Sequence, residues 1–140
     1  MRVLDVGCGR NKLYPFSLGI DHKKYPSVDI IGDLSIIEEL PKCFDVALVL
    51  QVIEHLDDPA KALDMVADKT NAFLVVDFPN RESMLWRLIW RCWRGIGMAK
   101  ESQHKDLTKS ELLRIVEKRF TVLNVCSYWF GMLTCVVAQK

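Results

Sequence analysis

Several features that would mark a secreted, membrane-spanning or metal-binding protein are missing from the sequence. Its five cysteines are odd in number and share no C-x-x-C spacing, which argues against a zinc site or a disulfide framework and favours a reducing compartment. No apolar run reaches the roughly 20 residues of a transmembrane helix, and Met1 leads into a predicted strand with no signal peptide before it. We therefore expect a cytoplasmic protein without a bound metal.

A large net charge is missing as well, because the formal net charge at pH 7 is +1. The charge is unevenly placed, since seven Lys or Arg but only three Asp or Glu fall between Arg81 and Lys109. Internal repeats, linkers and low-complexity segments are also missing. With 140 residues, half of them hydrophobic, the chain is long enough for a single domain, residues 1–140, around one core.

Glycine is scarce, and two of the seven glycines lie in one short motif. Residues 2–6 read as a buried strand that leads directly into a turn containing Gly7 and Gly9. Without a Cβ, both positions can take positive φ and let a ligand lie against backbone amides, while Asp5 supplies an acceptor. This arrangement is typical of α/β nucleotide-binding domains. A G-x-G alone is a weak signal, so its interpretation depends on the spacing of the next polar residues along the chain.

Three further apolar runs carry a polar residue near their ends. Residues 17–21 end at Asp21, residues 28–34 contain Asp33, and residues 44–53 contain Gln51. A carboxylate at the first of these tips can accept both ribose hydroxyls of an adenosine. If the strands are parallel, the glycine turn and the three tips form a row of polar groups along one edge of a sheet.

The second half of the chain continues the alternation of helix and strand. Asp58 and Pro59 predict the start of a helix over residues 59–69, and Asn71 is expected to turn the chain into a strand over 72–78. A capping box predicts a helix over residues 109–118, followed by a hairpin of strands 121–127 and 132–139. This alternation predicts a parallel sheet with helices on both faces.

In chain order, the motifs V-L-D-V-G-C-G, an isolated Asp after a strand, G-D-L, and F-D-V followed by V-I-E-H-L-D-D-P resemble a class I S-adenosylmethionine-dependent methyltransferase of the small type 11-like group. The resemblance covers nearly the whole chain. It implies an α/β, Rossmann-like, doubly wound sheet of seven strands in the order 3-2-1-4-5-7-6, with a C-terminal antiparallel hairpin and without N-terminal helices. It also implies S-adenosylmethionine as cofactor.

The resemblance implies a role for each motif position. The glycine turn and Asp5 are expected to hold the methionine end of the cofactor, and Asp21 the ribose hydroxyls. Asp33 and the Leu34 amide are expected to bind the adenine amino group, and Gln51 is expected to lie on the sulfonium side. His22 is expected to border the adenine ring. The expected cofactor-binding residues are Asp5, Gly7, Cys8, Gly9, Asp21, His22, Asp33, Leu34 and Gln51.

The sequence departs from the family pattern in two places. The third glycine of the turn is replaced by Asn11, and residues 10–16, which include Pro15, leave too little chain for a full crossover helix. We expect a turn or a single helical turn there, with one side of the methionine pocket less covered.

Two alternatives to a methyltransferase stay open. A nicotinamide-binding oxidoreductase would need G-x-G-x-x-G, but Lys12 occupies the sixth position. A binding protein or partner subunit could keep the cofactor pocket without transferring methyl groups. In a purely structural α/β domain, Asp21 and Asp33 would only cap strand ends.

Three of the four tryptophans and three arginines alternate within residues 84–94. At helical spacing the arginines form one stripe and the tryptophans a second, with apolar residues opposite. This helix could pack as a lid on the domain, contact a lipid or membrane surface, or bind a partner protein. Exposed tryptophans would favour a homodimer. Nucleic acid fits less well because the basic surface is small. We expect residues 80–107 to form a lid or substrate-binding insertion, with substrate contacts from Arg81, Trp86, Arg87 and Trp90.

The resemblance implies methyl transfer by direct displacement to a small-molecule or lipid-like acceptor. The donor is already activated, so the protein mainly aligns the reactants and excludes water. A base is needed only for some acceptors. The candidates are His55, which follows the fourth strand, and His104, which lies in a predicted loop at 98–105.

Overall fold

The computed structural model describes residues 1–95 and 107–140. One sheet contains seven strands: β1 (Val3–Val6), β2 (Leu18–Asp21), β3 (Ile30–Ile31), β4 (Phe44–Leu50), β5 (Thr70–Pro79), β6 (Thr121–Tyr128) and β7 (Leu133–Gln139). The helices are α1 (Ile36–Glu39), α2 (Pro59–Lys69), α3 (Met84–Gly95) and α4 (Lys109–Glu117), and a 3-10 turn spans Ile53–His55.

The strand order is β3-β2-β1-β4-β5-β7-β6. Strands β1 to β5 pair in parallel, whereas β7 is antiparallel to both β5 and β6. The predicted fold class, strand order and terminal hairpin are therefore confirmed.

Helices cover the sheet unevenly. Helix α2 packs against α1, α4 and β5, and α4 also packs against β6, so these three helices lie on one face. Right-handed crossovers place connections from β1 to β2 and from β2 to β3 on the opposite face. Those connections, residues 7–17 and 22–29, contain turns and bends but no helix. The expected shortening of the first crossover is confirmed, and the second is shortened as well. The expectation of helices on both faces is therefore wrong for the part of the sheet that these two connections cover, because both contain only turns and bends.

A polar cluster closes these two short connections. The Lys12 ammonium donates to the Ser17 carbonyl at 2.9 Å and to the carboxylate of Asp29, and the same carboxylate accepts from the Gly19 amide at 2.7 Å. The Lys12 bond, followed by the Gly19 bond, lowers the pKa of Asp29. We call Lys12, Ser17, Gly19 and Asp29 the Lys12 clasp. It takes the place of packed helices by joining the start of β2 to the chain on both sides of it.

Glycine is required inside the clasp for lack of space. A Cβ on Gly19 would lie 2.6 Å from the Lys12 Cε and 2.7 Å from the Cys8 Sγ. The lysine stem and the thiol therefore pack directly on the backbone of β2, where a crossover helix would otherwise lie.

Three predicted strands differ from the structure by more than one residue. Strand β3 is limited to Ile30–Ile31 because Asp29 is taken up by the clasp and the Val28 amide closes a turn on the Tyr25 carbonyl. Strand β4 ends at Leu50 because the next residue has a left-handed backbone, with φ 55°. Strand β5 begins at Thr70 without a turn at Asn71.

The helices follow their local signals. Helix α2 has the predicted bounds, and its Asp58 cap accepts from the Lys61 amide at 3.0 Å. Helix α4 starts with the predicted capping box between Thr108 and Glu111. Helix α3 covers the predicted segment 84–94 and extends to Gly95. Within residues 1–95 and 107–140, no helix has the length and apolar character needed to cross a bilayer.

Replacing Lys12 by methionine removes the clasp and leaves the buried Ser17 carbonyl and the Asp29 carboxylate without this donor. We expect the Lys12→Met variant to lose about 1–3 kcal/mol of unfolding free energy, the usual effect of removing one partner of a buried polar group. Urea denaturation followed by circular dichroism measures this. The matched control is Lys24→Met, at an exposed lysine of the next connection. Equal midpoints for the two variants would show that the clasp does not hold the fold.

Candidate active site

A cavity of about 730 Å³ opens at the carboxyl ends of the parallel strands. This volume lies within the range of small-molecule sites, and this edge is where open α/β sheets bind ligands. The cavity brings together seven residues singled out from the sequence: Gly7, Asp21, His22, Asp33, Leu34, Gln51 and His55. Its wall also includes Val52 and Leu56, which belong to the V-I-E-H-L-D-D-P motif without an assigned role, and Lys23, Lys61 and Met65, which no motif indicated.

The two glycines of the turn have different tasks. Gly7 has φ +69°, and a Cβ there would lie 2.1 Å from the Val52 Cγ2, so glycine lets the turn touch the end of β4. Gly9 has φ +58°, and a Cβ there would meet no atom within 4 Å. The first glycine is therefore required by packing, whereas the second leaves an open surface beside the backbone.

Asp21 is fixed by backbone donors on both oxygens. Its Oδ2 accepts from the Gly9 amide at 2.9 Å and its Oδ1 accepts from the Lys23 amide at 2.8 Å. The side chain of His22 lies nearby, with Nδ1 3.3 Å from Oδ1. Because each carboxylate oxygen can accept more than one bond, Asp21 retains acceptor capacity toward the cavity while its orientation is set by the protein.

Asp33 is held in a similar way at the end of β3. Its Oδ1 accepts from the backbone amide and the hydroxyl of Ser35, and these bonds lower the pKa of Asp33. The side chain is therefore a carboxylate at neutral pH. It stands beside Leu34 in the wall of the cavity.

The other residues predicted in the glycine turn lie outside the cavity wall. Asp5 is 3% exposed, and its Oδ2 has no hydrogen-bond partner among the residues that the structure describes. Burial raises the pKa of Asp5, against the opposing effects of the Leu13 amide and the Lys12 charge. Cys8 is also buried, and burial is the largest cause of its raised pKa.

Gln51 is attached to β5 through two bonds to Asp77, which also accepts a third bond from Tyr128. The Gln51 backbone amide donates to the Asp77 carbonyl and its side-chain amide donates to Oδ1, both at 2.9 Å, and the Tyr128 hydroxyl donates to Oδ2. Burial, followed by the Asp77 bond, raises the pKa of Tyr128. We call Gln51, Asp77 and Tyr128 the Asp77 bridge. It stabilises the left-handed backbone of Gln51 at the cavity wall.

The bridge residues could have been found in part from the sequence. Asp77 lies near the end of β5, so the reasoning that singled out Asp21 and Asp33 at strand ends applies to it equally. Tyr128 carries no such signal, because its approach to Asp77 depends on β7 lying between β5 and β6.

Glu54 and His55 follow β4 as an acid and base pair. Glu54 is 4% exposed, its Oε2 has no hydrogen-bond partner within the described part of the chain, and burial raises its pKa to about 7, with a further contribution from Asp77. Its Oε1 lies 3.9 Å from the His55 Nε2. Burial lowers the pKa of His55, and the charge of Arg81 adds to this effect. A neutral imidazole, able to accept a proton, is therefore favoured at neutral pH.

Of the predicted substrate residues, Arg81, Trp86 and Arg87 are not part of the cavity wall, although the charge of Arg81 acts on Glu54 and His55. Arg81 and Trp86 are partly buried near the start of α3, and Arg87 is exposed on that helix. Trp90 belongs to α3, but its side chain lies outside the described part, as does the whole of His104 together with the loop predicted at 98–105. His55 is thus the predicted base that the structure places at the cavity.

Glu54 makes the stability of the fold depend on pH. Its pKa is about 7 in the folded state against an ordinary value of 4.5, so its stabilising contribution is complete below the ordinary value and is lost as the pH rises through about 7. We expect the unfolding free energy of the native chain to fall by about 2–3 kcal/mol more than that of Glu54→Gln between about pH 5 and about pH 8.

Urea denaturation at a series of pH values measures this difference. The control is Glu117→Gln, an exposed glutamate at the end of α4, which should follow the native chain. Parallel pH profiles for the native chain and Glu54→Gln would contradict the assignment of this titration to Glu54.

Together, the sheet order, the terminal antiparallel hairpin and a cavity bordered by a glycine turn and two strand-end carboxylates define the class I methyltransferase fold. A sequence model described as a methyltransferase domain matches residues 1–120, and the chain belongs to that family. Members of the family use S-adenosylmethionine, so the chain is an S-adenosylmethionine-dependent methyltransferase. Comparison with curated protein sequences gave no match.

Solved structures share the fold at low sequence identity. Magnesium protoporphyrin IX methyltransferase (ChlM) from Synechocystis PCC 6803 with bound SAH is 16% identical, with a TM-score of 0.71 over 99% of this chain and 73% of that one. A methyltransferase from Thermotoga maritima, described as a possible histamine N-methyltransferase, is 19% identical, with a TM-score of 0.72 over 99% and 82%. A methyltransferase from Mesorhizobium loti is 16% identical, with a TM-score of 0.70 over 99% and 90%.

Proposed function

We propose that the chain acts as a single domain, residues 1–140, which transfers the methyl group of S-adenosylmethionine to a small-molecule or lipid-like acceptor by direct displacement. The observation that carries this proposal is the cavity wall, in which Asp21 and Asp33 stand at the ends of β2 and β3 and Gln51 at the end of β4. The carboxylates of Asp21 and Asp33 suit the adenosine half of the cofactor, and the neutral side-chain amide of Gln51 suits the side toward its methionine half.

The adenosine half fits the fixed carboxylates. Asp21 would accept the ribose hydroxyls with the acceptor capacity that its two backbone donors leave. Asp33, with the Leu34 amide, would hold the adenine amino group and ring edge, and His22 would border the ring. Apolar side chains of Val52 and Leu56 supply the wall that a ring needs.

The methionine half fits the glycine turn. The Asp5 carboxylate has a buried oxygen without a partner in the described residues, which an ammonium group would satisfy. Cys8 and Gly9 follow directly, and the space beside Gly9 leaves its backbone open to a ligand. Gly7 and Gln51 would border the region between the two halves, since both line the cavity.

The bound cofactor supplies a methyl group that its sulfonium charge has already activated. The protein then has to align the acceptor and exclude water. The Asp77 bridge keeps Gln51 in one position at the cavity wall. Neutral His55, which lines the cavity, would take a proton from an acceptor that needs a base, and His104 is a second candidate for that role. Residues 80–107 would act as lid or substrate-binding insertion, with Arg81, Trp86, Arg87 and Trp90 toward the acceptor.

The cofactor site is tested by calorimetric titration with S-adenosylmethionine, S-adenosylhomocysteine and NAD. We expect the native chain to bind the first two, and Asp21→Asn to bind them about 10- to 100-fold more weakly, because the ribose loses a charged acceptor. Glu117→Gln should bind like the native chain. Tighter binding of NAD than of S-adenosylmethionine would contradict the proposal. Binding without any turnover to S-adenosylhomocysteine over a panel of acceptors would favour a binding subunit instead.

The Asp77 bridge predicts a graded effect on the same titration. In Asp77→Ala the side-chain amide of Gln51 and the hydroxyl of Tyr128 both lose their acceptor, so affinity for S-adenosylmethionine should fall about 5- to 30-fold. In Tyr128→Phe both Gln51 bonds remain, so affinity should fall by less than about threefold. An equal loss in the two variants, with unchanged urea midpoints, would show that Gln51 is not positioned by Asp77.

A further inference from the structure

The turn between β6 and β7 carries two large apolar side chains in an unfavourable backbone conformation. Trp129 and Phe130 have φ values of 52° and 56°, in the left-handed region that bulky residues rarely adopt. They are 70% and 90% exposed. Neither burial nor backbone preference therefore explains why aromatic residues occupy this turn. Backbone strain at residues that do not stabilise the fold in exchange indicates a function for them.

The turn is fixed against the segment that leads into α3. The Asn80 backbone amide donates to the Met132 carbonyl at 2.7 Å, and its side-chain amide donates to the Gly131 carbonyl at 3.0 Å. A Cβ on Gly131 would lie 3.9 Å from the Ser83 Oγ, and the Ser83 carbonyl accepts from the Arg87 amide in the first turn of α3. Trp129 and Phe130 thus lie beside the start of that helix.

The exposed side of α3, which starts next to this turn, carries further apolar side chains and positive charge. Met84 and Leu88 are 86% and 59% exposed, and Arg87 and Arg91 are exposed next to them. At 100° per residue these four positions span a single arc. Residues 83–95 contain no Asp or Glu. We call Met84, Arg87, Leu88, Arg91, Trp129 and Phe130 the docking surface.

We propose that the docking surface binds the headgroup region of an anionic lipid bilayer, with Trp129, Phe130, Met84 and Leu88 entering the interface and Arg87 and Arg91 contacting lipid phosphates. Aromatic side chains favour the membrane–water interface, and arginine adds attraction to anionic lipid. This goes beyond the sequence-based expectation for residues 84–94, because half of the apolar anchor comes from the distant β6–β7 turn.

Other occupants fit the surface less well. In a twofold dimer the same surface would meet itself, and Arg87 and Arg91 of each copy would be buried against a surface that contains no acid to pair with them. Nucleic acid would use the arginines and the aromatic rings, but the aliphatic side chains of Met84 and Leu88 cannot stack on bases.

The docking surface borders the Asp77 bridge. Tyr128 directly precedes Trp129, and Asp77 lies in β5 just before Asn80. If the proposed methyl transfer holds, a bound bilayer would therefore lie next to the acceptor side of the site and would present lipid-like acceptors to it. Membrane binding itself does not depend on the proposed reaction.

The proposal is tested by co-sedimentation with phosphatidylcholine vesicles that contain or lack phosphatidylserine. The apolar test variant is Trp129→Asn with Phe130→Asn, because asparagine tolerates positive φ and leaves the turn intact. The charge variant is Arg87→Glu with Arg91→Glu. The matched controls are Phe16→Asn and Lys24→Glu. Phe16 is an aromatic residue outside the docking surface whose side chain is 85% exposed.

The native chain should sediment with the anionic vesicles and remain in solution with the neutral ones. Both test variants should bind at least about tenfold more weakly, since each removes one of the two attractions, and both controls should bind like the native chain. The melting temperature of the asparagine variant should equal or exceed the native value, because strain is relieved. Titration with S-adenosylmethionine should be unchanged in the asparagine variant and in both controls, which separates this proposal from that of the cofactor site.

Three outcomes would overturn the proposal. The first is no sedimentation of the native chain with anionic vesicles, including the case in which it binds single-stranded nucleic acid instead. The second is an equal loss of binding in Phe16→Asn and in the asparagine variant. The third is a native dimer that the asparagine variant converts to a monomer without any change in vesicle binding.

Discussion

Parallel strands need a crossover between them, and the first two crossovers of this chain are too short for helices. Their backbone groups and the start of β2 must still be paired, because buried amides and carbonyls left without partners are costly. The Lys12 clasp meets this requirement with one ammonium group and one carboxylate. Since Asp29 serves the clasp, β3 keeps only two residues, and since Gly19 lies under the lysine stem, β2 runs straight to Asp21 at the cavity.

Hydrogen bonds from neighbouring turns and strands fix the polar side chains of the site. Asp21 is oriented by amides on both sides of β2, and Gln51 is oriented by the next strand through Asp77. Each polar side chain at the sheet edge is thus held by a neighbouring strand or turn before any ligand arrives. Such preorganisation lets a small domain keep a defined pocket with helices packed on one face and turns on the other.

Most local signals in the sequence predicted the structure, although the turn expected at Asn71 is absent, whereas side-chain pairings across the sheet could not be predicted. The caps at Asp58 and Thr108 and the strand ends at Asp21 and Asp33 depend on neighbours in sequence, so they could be predicted. The pairing of Lys12 with Asp29 and of Tyr128 with Asp77 depends on where the strands lie in the sheet, and no pattern in the sequence predicts these pairs. The burial of Glu54 was equally hidden, because it results from packing around a 3-10 turn in a motif that reads as polar.

The position of β7 has a consequence for how the chain folds during synthesis. This strand comes after all the others in sequence, yet it lies between β5 and β6 and pairs with both along most of its length. While the ribosome is still making it, β5 has an open edge and β6 has no partner strand. Until β7 is made, the nascent protein therefore presents the open edge of β5 and the unpaired strand β6, and such edges favour aggregation.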